Sequence, residues 1–292
     1  YIGSANQHPT TSDYPYFLSE FYWASFRWNQ IHTRLDTLQS ATINDMLDIQ
    51  LDNRSVFAEK NMPVILRTWK NNLKNNIEKQ AFTILSDWDY EMDGHSPAPT
   101  MYRYWYTLLE ELTWEDDLGK DNENFIWPYR DKMMELILTD PESHWFDDKT
   151  TSQTETFSHL SQQAFHIMVS ELQNKYGDAI KSDWIWSKYQ GTDINHIANI
   201  PGMGVLDLPT SGGSDIPNAT GTTFGPSWRF VVEMGEKKVA YGIYPGGQSG
   251  FPGSIYYDNM VDDWVEGIAY PLSFSDNPAE ISGVTINLGN GK

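Results

Sequence analysis

The apolar spacing of this chain changes near residue 200, and that change limits the folds open to it. From about Tyr16 to Trp186 the apolar residues recur every three to four positions, the period of a helix with one buried face. Thr42 stands before Ile43-Asn44-Asp45, an N-cap followed by an acid in the first turn. Pro63 suits the start of a helix. The segment after it, VILRTWKNNLKNNIEKQAFTILSDW, places Ile65, Trp69, Leu73, Ile77, Ile84 and Leu85 at helical spacing. Further helices are predicted over Tyr102 to Leu112, around Lys132 to Leu138, and through HLSQQAFHIMVSELQNKYG, with Gly177 as the stop.

Glycine, proline and asparagine dominate from Pro201 to Pro226, and the pattern that follows alternates. In SWRFVVEMGEKKVAYGIY, the expectation is that Trp228, Phe230, Val232 and Met234 face one way and Arg229 and Glu233 the other. Gly235-Glu236 makes the turn, and GVTINL near the C-terminus reads as a last short strand. Helices first and strands last is an α+β pattern. The chain is predicted to be one piece over 1–292, with 1–200 mainly helical and 201–292 holding Gly/Pro-rich loops and C-terminal strands. Two or three strands leave open edges. The sheet is therefore expected to be incomplete, with its other strands on a different polypeptide. Tyr1-Ile2 is a candidate strand end, which would account for a first residue other than methionine.

Composition narrows the function classes. A net charge of −20, from 40 acids against 20 bases, disfavours nucleic acid and anionic lipid as partners. The absence of cysteine excludes disulfides, thiolate nucleophiles and Cys-based metal sites. No run of eighteen apolar residues is present to span a membrane, and the first residues do not read as a signal peptide. An acidic, cysteine-free chain rich in Asn, Ser, Thr and Trp suits an extracytoplasmic setting, whether periplasmic, secreted or at the cell surface.

Common catalytic motifs are missing: HExxH, GxxxxGK[ST], GxSxG, and GxGxxG after a strand. YPGGQSGFPGS, with no lysine or helix signature after it, reads as a tight turn. His159 and His166 lie seven residues apart, not four, and read as ordinary helical histidines. DWDYEMDG resembles the front of a calcium loop but lacks the closing glutamate. The acidic run Glu110, Glu111, Glu115, Asp116, Asp117 reads as a solvated face. Most of the tryptophans are expected in the core.

Five stretches, taken in order, give the chain a likeness. YIGSANQ followed by DYPYFLSEFYWASFRWNQI, TINDMLDIQLDNRSVFA, WDYEMDGHSPAPTMYRYW, SGGSDIPNATGTTFGPSWRFVVEM and YPGGQSGFPGSIYYDNMVDDWVEGIAYPLSF resemble the later part of the β chain of the penicillin acylases, also called penicillin amidases. These belong to the N-terminal nucleophile hydrolases. The resemblance implies that the strands join an αββα sandwich, incomplete in this chain alone. It implies hydrolysis of the amide between an acyl group and a small amine, with penicillin-like or acyl-homoserine-lactone-like substrates. The nucleophile would be the first residue of the β chain, with its own α-amine as base, and it is not present here. This chain alone is accordingly expected to be inactive. Its implied partners are the upstream remainder of the β chain and an α chain from the same precursor. Asn6 matches the side-chain donor of the oxyanion hole, and Arg27 matches the arginine that orients that asparagine and the nucleophile. No cofactor is implied for the chemistry. A structural calcium occurs in some members; here Asp13 stands near the corresponding Tyr14-Pro15 loop without matching it cleanly, and the metal stays open. The competing reading is a non-catalytic extracellular binding module that uses exposed aromatics to hold sugars or a protein partner. Burial of Trp88, Trp105, Trp114 and Trp127 would count against it.

Overall fold

The structure is a computed structural model, and it describes residues 1–11, 13–119, 126–273, 275, 277, 279 and 281. The strand expected in GVTINL lies outside the described residues. In chain order the helices are α1 (Phe26–Asp36), α2 (Ile43–Gln50), α3 (Val56–Trp69), α4 (Asn76–Ser86), α5 (Ala98–Leu118), α6 (Arg130–Thr139), α7 (Phe157–Tyr176), α8 (Ile180–Asp183), α9 (Trp186–Gln190) and α10 (Val261–Glu266). The strands are β1 (Thr192–Ile194), β2 (Val205–Leu208), β3 (Arg229–Glu233), β4 (Val239–Ile243) and β5 (Tyr270–Leu272). Helices and antiparallel strands together make the chain α+β. No helix among the described residues is long and apolar enough to cross a membrane.

The chain divides into two units, 1–39 with 51–225 and 40–50 with 226–292. The first is built on α3, α5 and α7. Trp69 from α3 stacks on Phe165 from α7, with ring centroids 4.5 Å apart, and meets Trp105 from α5 edge-on at 5.4 Å. Both indole N–H groups donate to the Ser161 carbonyl, at 3.1 Å and 3.0 Å, so the buried rings leave no donor unsatisfied. Trp88, Trp105 and Trp114 are buried, which removes three of the four tryptophans that a sugar platform would have needed; Trp127 is partly buried.

Helix ends follow local chemistry. Ser55 caps α3 by accepting from the Ala58 N–H, and Asn75 caps α4 by accepting from the Glu78 N–H. Thr156 and His159 form a reciprocal capping box at the start of α7, which gives His159 a structural role. His166 pairs with Glu78 at 3.0 Å. The single long helix expected after Pro63 is two helices, and Pro63 lies inside α3. Pro63 is exposed, while Met62, Ile65 and Trp69 keep the apolar stripe continuous.

In the second unit, β3, β4 and β5 form an antiparallel sheet, with Arg229 opposite Ile243 and Glu233 opposite Val239. Helix α2 begins with the expected cap: Thr42 accepts from the Asp45 N–H, and the Asp45 carboxylate accepts from the Thr42 N–H. Its last residue, Gln50, donates to the Phe230 carbonyl. Of the two faces of β3, the inward one carries Arg229. Arg229 and Val231 are buried, whereas the flanking Trp228 and Met234 are exposed. Arg229 tolerates burial because it donates to the Trp264 carbonyl and lies over the Trp264 ring, 5.0 Å from its centroid. Burial pulls its pKa down to about 10, which still leaves it cationic at neutral pH.

Candidate active site

Tyr1 and Ile2 are exposed, and residues 1–4 are not in a strand. The chain then turns tightly. Gly3 packs against the Trp28 ring so closely that a Cβ would lie 2.5 Å from it, so any larger residue there must displace the ring. Ala5 is buried, and Asn6 adopts φ 65°, the left-handed region that asparagine tolerates better than other residues with a side chain. Three hydrogen bonds hold this turn. The Ala5 N–H donates to Gln7 Oε1 at 2.7 Å, the Trp23 N–H donates to the Asn6 carbonyl at 3.1 Å, and Arg27 donates to the Ala5 carbonyl at 3.1 Å.

Arg27 makes the contact that matters most for chemistry. Its Nη2 donates to Asn6 Oδ1 at 2.5 Å. A guanidinium only donates, so the oxygen of the Asn6 amide must face Arg27 and the NH₂ must face away. No described residue accepts a hydrogen bond from that NH₂, and Asn6 is exposed. The turn thus presents a neutral two-proton donor, fixed from behind by a cation. Burial lowers the Arg27 pKa, and a guanidinium stays protonated in a folded protein. The structure brings together the two residues singled out from the sequence, 21 positions apart.

Arg27 also lines a cavity of about 260 Å³ together with Trp23, Tyr129 and Glu110. Trp23, Phe21 and Tyr129 touch one another, with centroids 5.0 to 6.0 Å apart, which makes part of the wall aromatic. Glu110 corrects the reading of the acidic run as a solvated face, because it is only partly exposed and points into this cavity wall. The signal was available: it follows Tyr106 by four residues on the stripe that buries Tyr102, Tyr106 and Thr113.

Burial, first of all, holds the Glu110 carboxyl above the ordinary glutamate range; Arg103 and the Tyr106 hydroxyl pull it down, and Glu111 pushes it up. The folded state therefore keeps this proton to higher pH than the unfolded state. Stability falls as pH rises from the unfolded value, about 4.3, through the folded one, and the penalty is constant above that window. Glu110→Gln removes the ionisation. The variant is expected to melt above the parent near neutral pH and level with it below about pH 4. Melting curves that differ equally at both pH values would contradict this assignment.

Three other matched stretches converge nearby. The Met92 N–H donates to the Asn53 carbonyl, the Gly212 N–H to the Met92 carbonyl, and the Asn218 N–H to the Asp52 carbonyl. DWDYEMDG is a self-bonded loop in which Asp89 accepts from the Glu91 N–H and Asp93 from the His95 N–H. Asp13 is exposed and accepts from the Thr11 hydroxyl, which lowers its pKa. Among the described residues no three metal-ligating side chains cluster.

Comparison with known proteins adds the following. A statistical model of the penicillin amidase family matches residues 1–280. The chain is 22% identical, over 93% of its own length and 37% of the relative's, to the acyl-homoserine lactone acylase QuiP of Pseudomonas aeruginosa. It is 24% identical to QuiP of Pseudomonas fluorescens over 91% of this chain and 35% of the relative. It is 25% identical to QuiP of Pseudomonas syringae pv. tomato over 66% of this chain and 26% of the relative. The chain thus spans between about a quarter and just over a third of the length of the curated relatives it matches.

Proposed function

The chain belongs to the penicillin amidase family, and from that premise we propose that it is the later part of the β chain of an amidohydrolase cleaving N-acyl amides of small amines. The observation that carries the reading is the Asn6 amide, held at its oxygen by Arg27 and open at its NH₂. In acyl transfer a nucleophile adds to the amide carbonyl, and the carbonyl oxygen becomes an oxyanion. A donor fixed in advance stabilises that charge without reorganising at the moment of reaction. Asn6 is the side-chain donor. Arg27 positions it and adds a positive field behind it. Neither residue is a nucleophile or base, so an N-terminal nucleophile elsewhere in the β chain adds to the carbonyl and passes its proton to its own α-amine. The leaving amine takes that proton as the C–N bond breaks, and water then releases the acyl group. No cofactor enters these steps.

The same reading assigns β3, β4 and β5 to a larger αββα sandwich completed by preceding strands and an α chain, and it places the protein outside the cytoplasm. Among substrates, the names of the relatives favour N-acyl-homoserine lactones, with penicillin-type amides second. The test is direct. Full-length protein incubated with N-acyl-homoserine lactones and with penicillin G is expected to release the free amine from at least one, measured with an amine-reactive fluorophore. Residues 1–292 alone should release none. Failure of the full-length protein on both classes would refute the proposal.

A further inference from the structure

Resting on the assignment of Asn6 to the oxyanion hole, we propose that Asp52 is a positioning residue that sets the orientation of α1, and through Arg27 that of the Asn6 amide. Among the residues of α1 only Phe26 and Gln30 are buried. Phe26 packs against Phe57 at 5.1 Å at the start of the helix, and Ile31 and Leu35 farther along are half-buried. Farther along the helix, two polar side chains converge on a single carboxylate. Gln30 Nε2 donates to Asp52 Oδ2 at 2.9 Å, and Arg34 Nη1 donates to the same oxygen at 2.6 Å. Arg27, Gln30 and Arg34 follow the i, i+3, i+7 spacing of one helix face. The face that grips the Asn6 turn is thus the face gripped by Asp52.

Asp52 is itself rigidly placed. Its side chain is 4% exposed, its other oxygen accepts from the Arg54 N–H at 3.0 Å, and its carbonyl accepts from the Asn218 N–H at 3.0 Å. Every lone pair these contacts use faces a donor, so a carboxylate is required. An asparagine would turn an NH₂ toward either the Arg54 N–H or the Gln30 and Arg34 donors. The leverage is geometric. A guanidinium roughly 8 Å from the helix axis moves by more than about 1 Å when the helix turns by about 10°. That displacement is enough to break the bond to Asn6 Oδ1 and leave the amide free to rotate away from the developing charge.

The experiment is a double-mutant cycle in the full-length enzyme, with kcat taken per titrated active site. Asp52→Asn is expected to lower kcat by about 10- to 100-fold with KM close to the parent value. Combined with Asn6→Ala, it should lower kcat no further than Asn6→Ala alone, because both changes remove the same interaction. A purely structural Asp52 would instead show losses that multiply in the double variant, and that result overturns the proposal. So does a parental kcat for Asp52→Asn beside an impaired Asn6→Ala. An Asn6→Ala enzyme with parental kcat overturns the oxyanion assignment itself, and this inference with it. Should Asp52→Asn fail to fold, Gln30→Met removes one donor to Asp52 while keeping side-chain volume. It must then show a smaller kcat loss that is likewise absent in the Asn6→Ala background, and a loss that persists there counts against the proposal.

Discussion

Asn6→Ala in the full-length enzyme is expected to reduce kcat by about 10²- to 10³-fold while KM stays near the parent value. The oxyanion exists only along the reaction path, so its donor contributes little to binding the ground state. Alanine at position 6 carries a second effect that has to be separated. Asn6 sits at φ 65°, where a Cβ without a compensating polar group costs about 1 kcal/mol or more. Asn6→Gly accepts that backbone conformation freely and deletes the same amide. The two variants should therefore lose kcat alike, with glycine the more stable. Asn6→Asp keeps the shape and strengthens the pairing with Arg27, yet puts negative charge where the oxyanion forms. It should fold as well as the parent and turn over at least as slowly as alanine. A glycine variant with near-parental turnover would show that Asn6 stabilises no oxyanion.

The pairing of Asn6 with Arg27 was open to inspection in the sequence only through the order of the matched stretches. Local reasoning gives an asparagine in a small-residue turn and an arginine near a helix start, each common for unrelated reasons. What joins them is the Asn6 carbonyl meeting the Trp23 N–H, which folds the turn back onto the start of α1. Contacts of that kind have no signature in spacing. Helix identity was legible where a cap and an apolar stripe agreed, as at Thr42 and along α7. It failed at Pro63, which suits a helix start but lies inside α3. On β3, alternation separated two faces without saying which was inside. Arg229 lies on the inward face because a carbonyl and an aromatic ring satisfy its burial. In the sequence Asp52 stood only as the acid of a matched Gln-x-Asp stretch. Its importance depends on Gln30 and Arg34 converging on one oxygen, which requires α1 to be in place first.

The largest loss of stability is expected from Trp69→Ala, about 3–5 kcal/mol. Trp69 is 1% exposed and touches both other helices of the central trio, stacking on Phe165 and meeting Trp105 edge-on. Truncation opens a cavity where α3, α5 and α7 meet, and it removes the indole donor to Ser161 Oγ and to the Ser161 carbonyl. Ser161 keeps partners in Thr68 and Trp105, so the desolvation penalty is partly relieved and the cavity dominates. Trp69→Phe should therefore recover most of the loss, since a phenyl ring fills much of the space without the N–H. Trp228→Ala is the control. Trp228 is 58% exposed, and its removal should change stability by no more than about 0.5 kcal/mol. Thermal melting of the full-length variants decides the matter. A Trp69→Ala midpoint within a degree or two of the parent would mean that the three helices are held together elsewhere. The same series bears on the aromatic-platform alternative, because a tryptophan whose loss unfolds the helical unit is committed to the core and is not available to stack on a sugar.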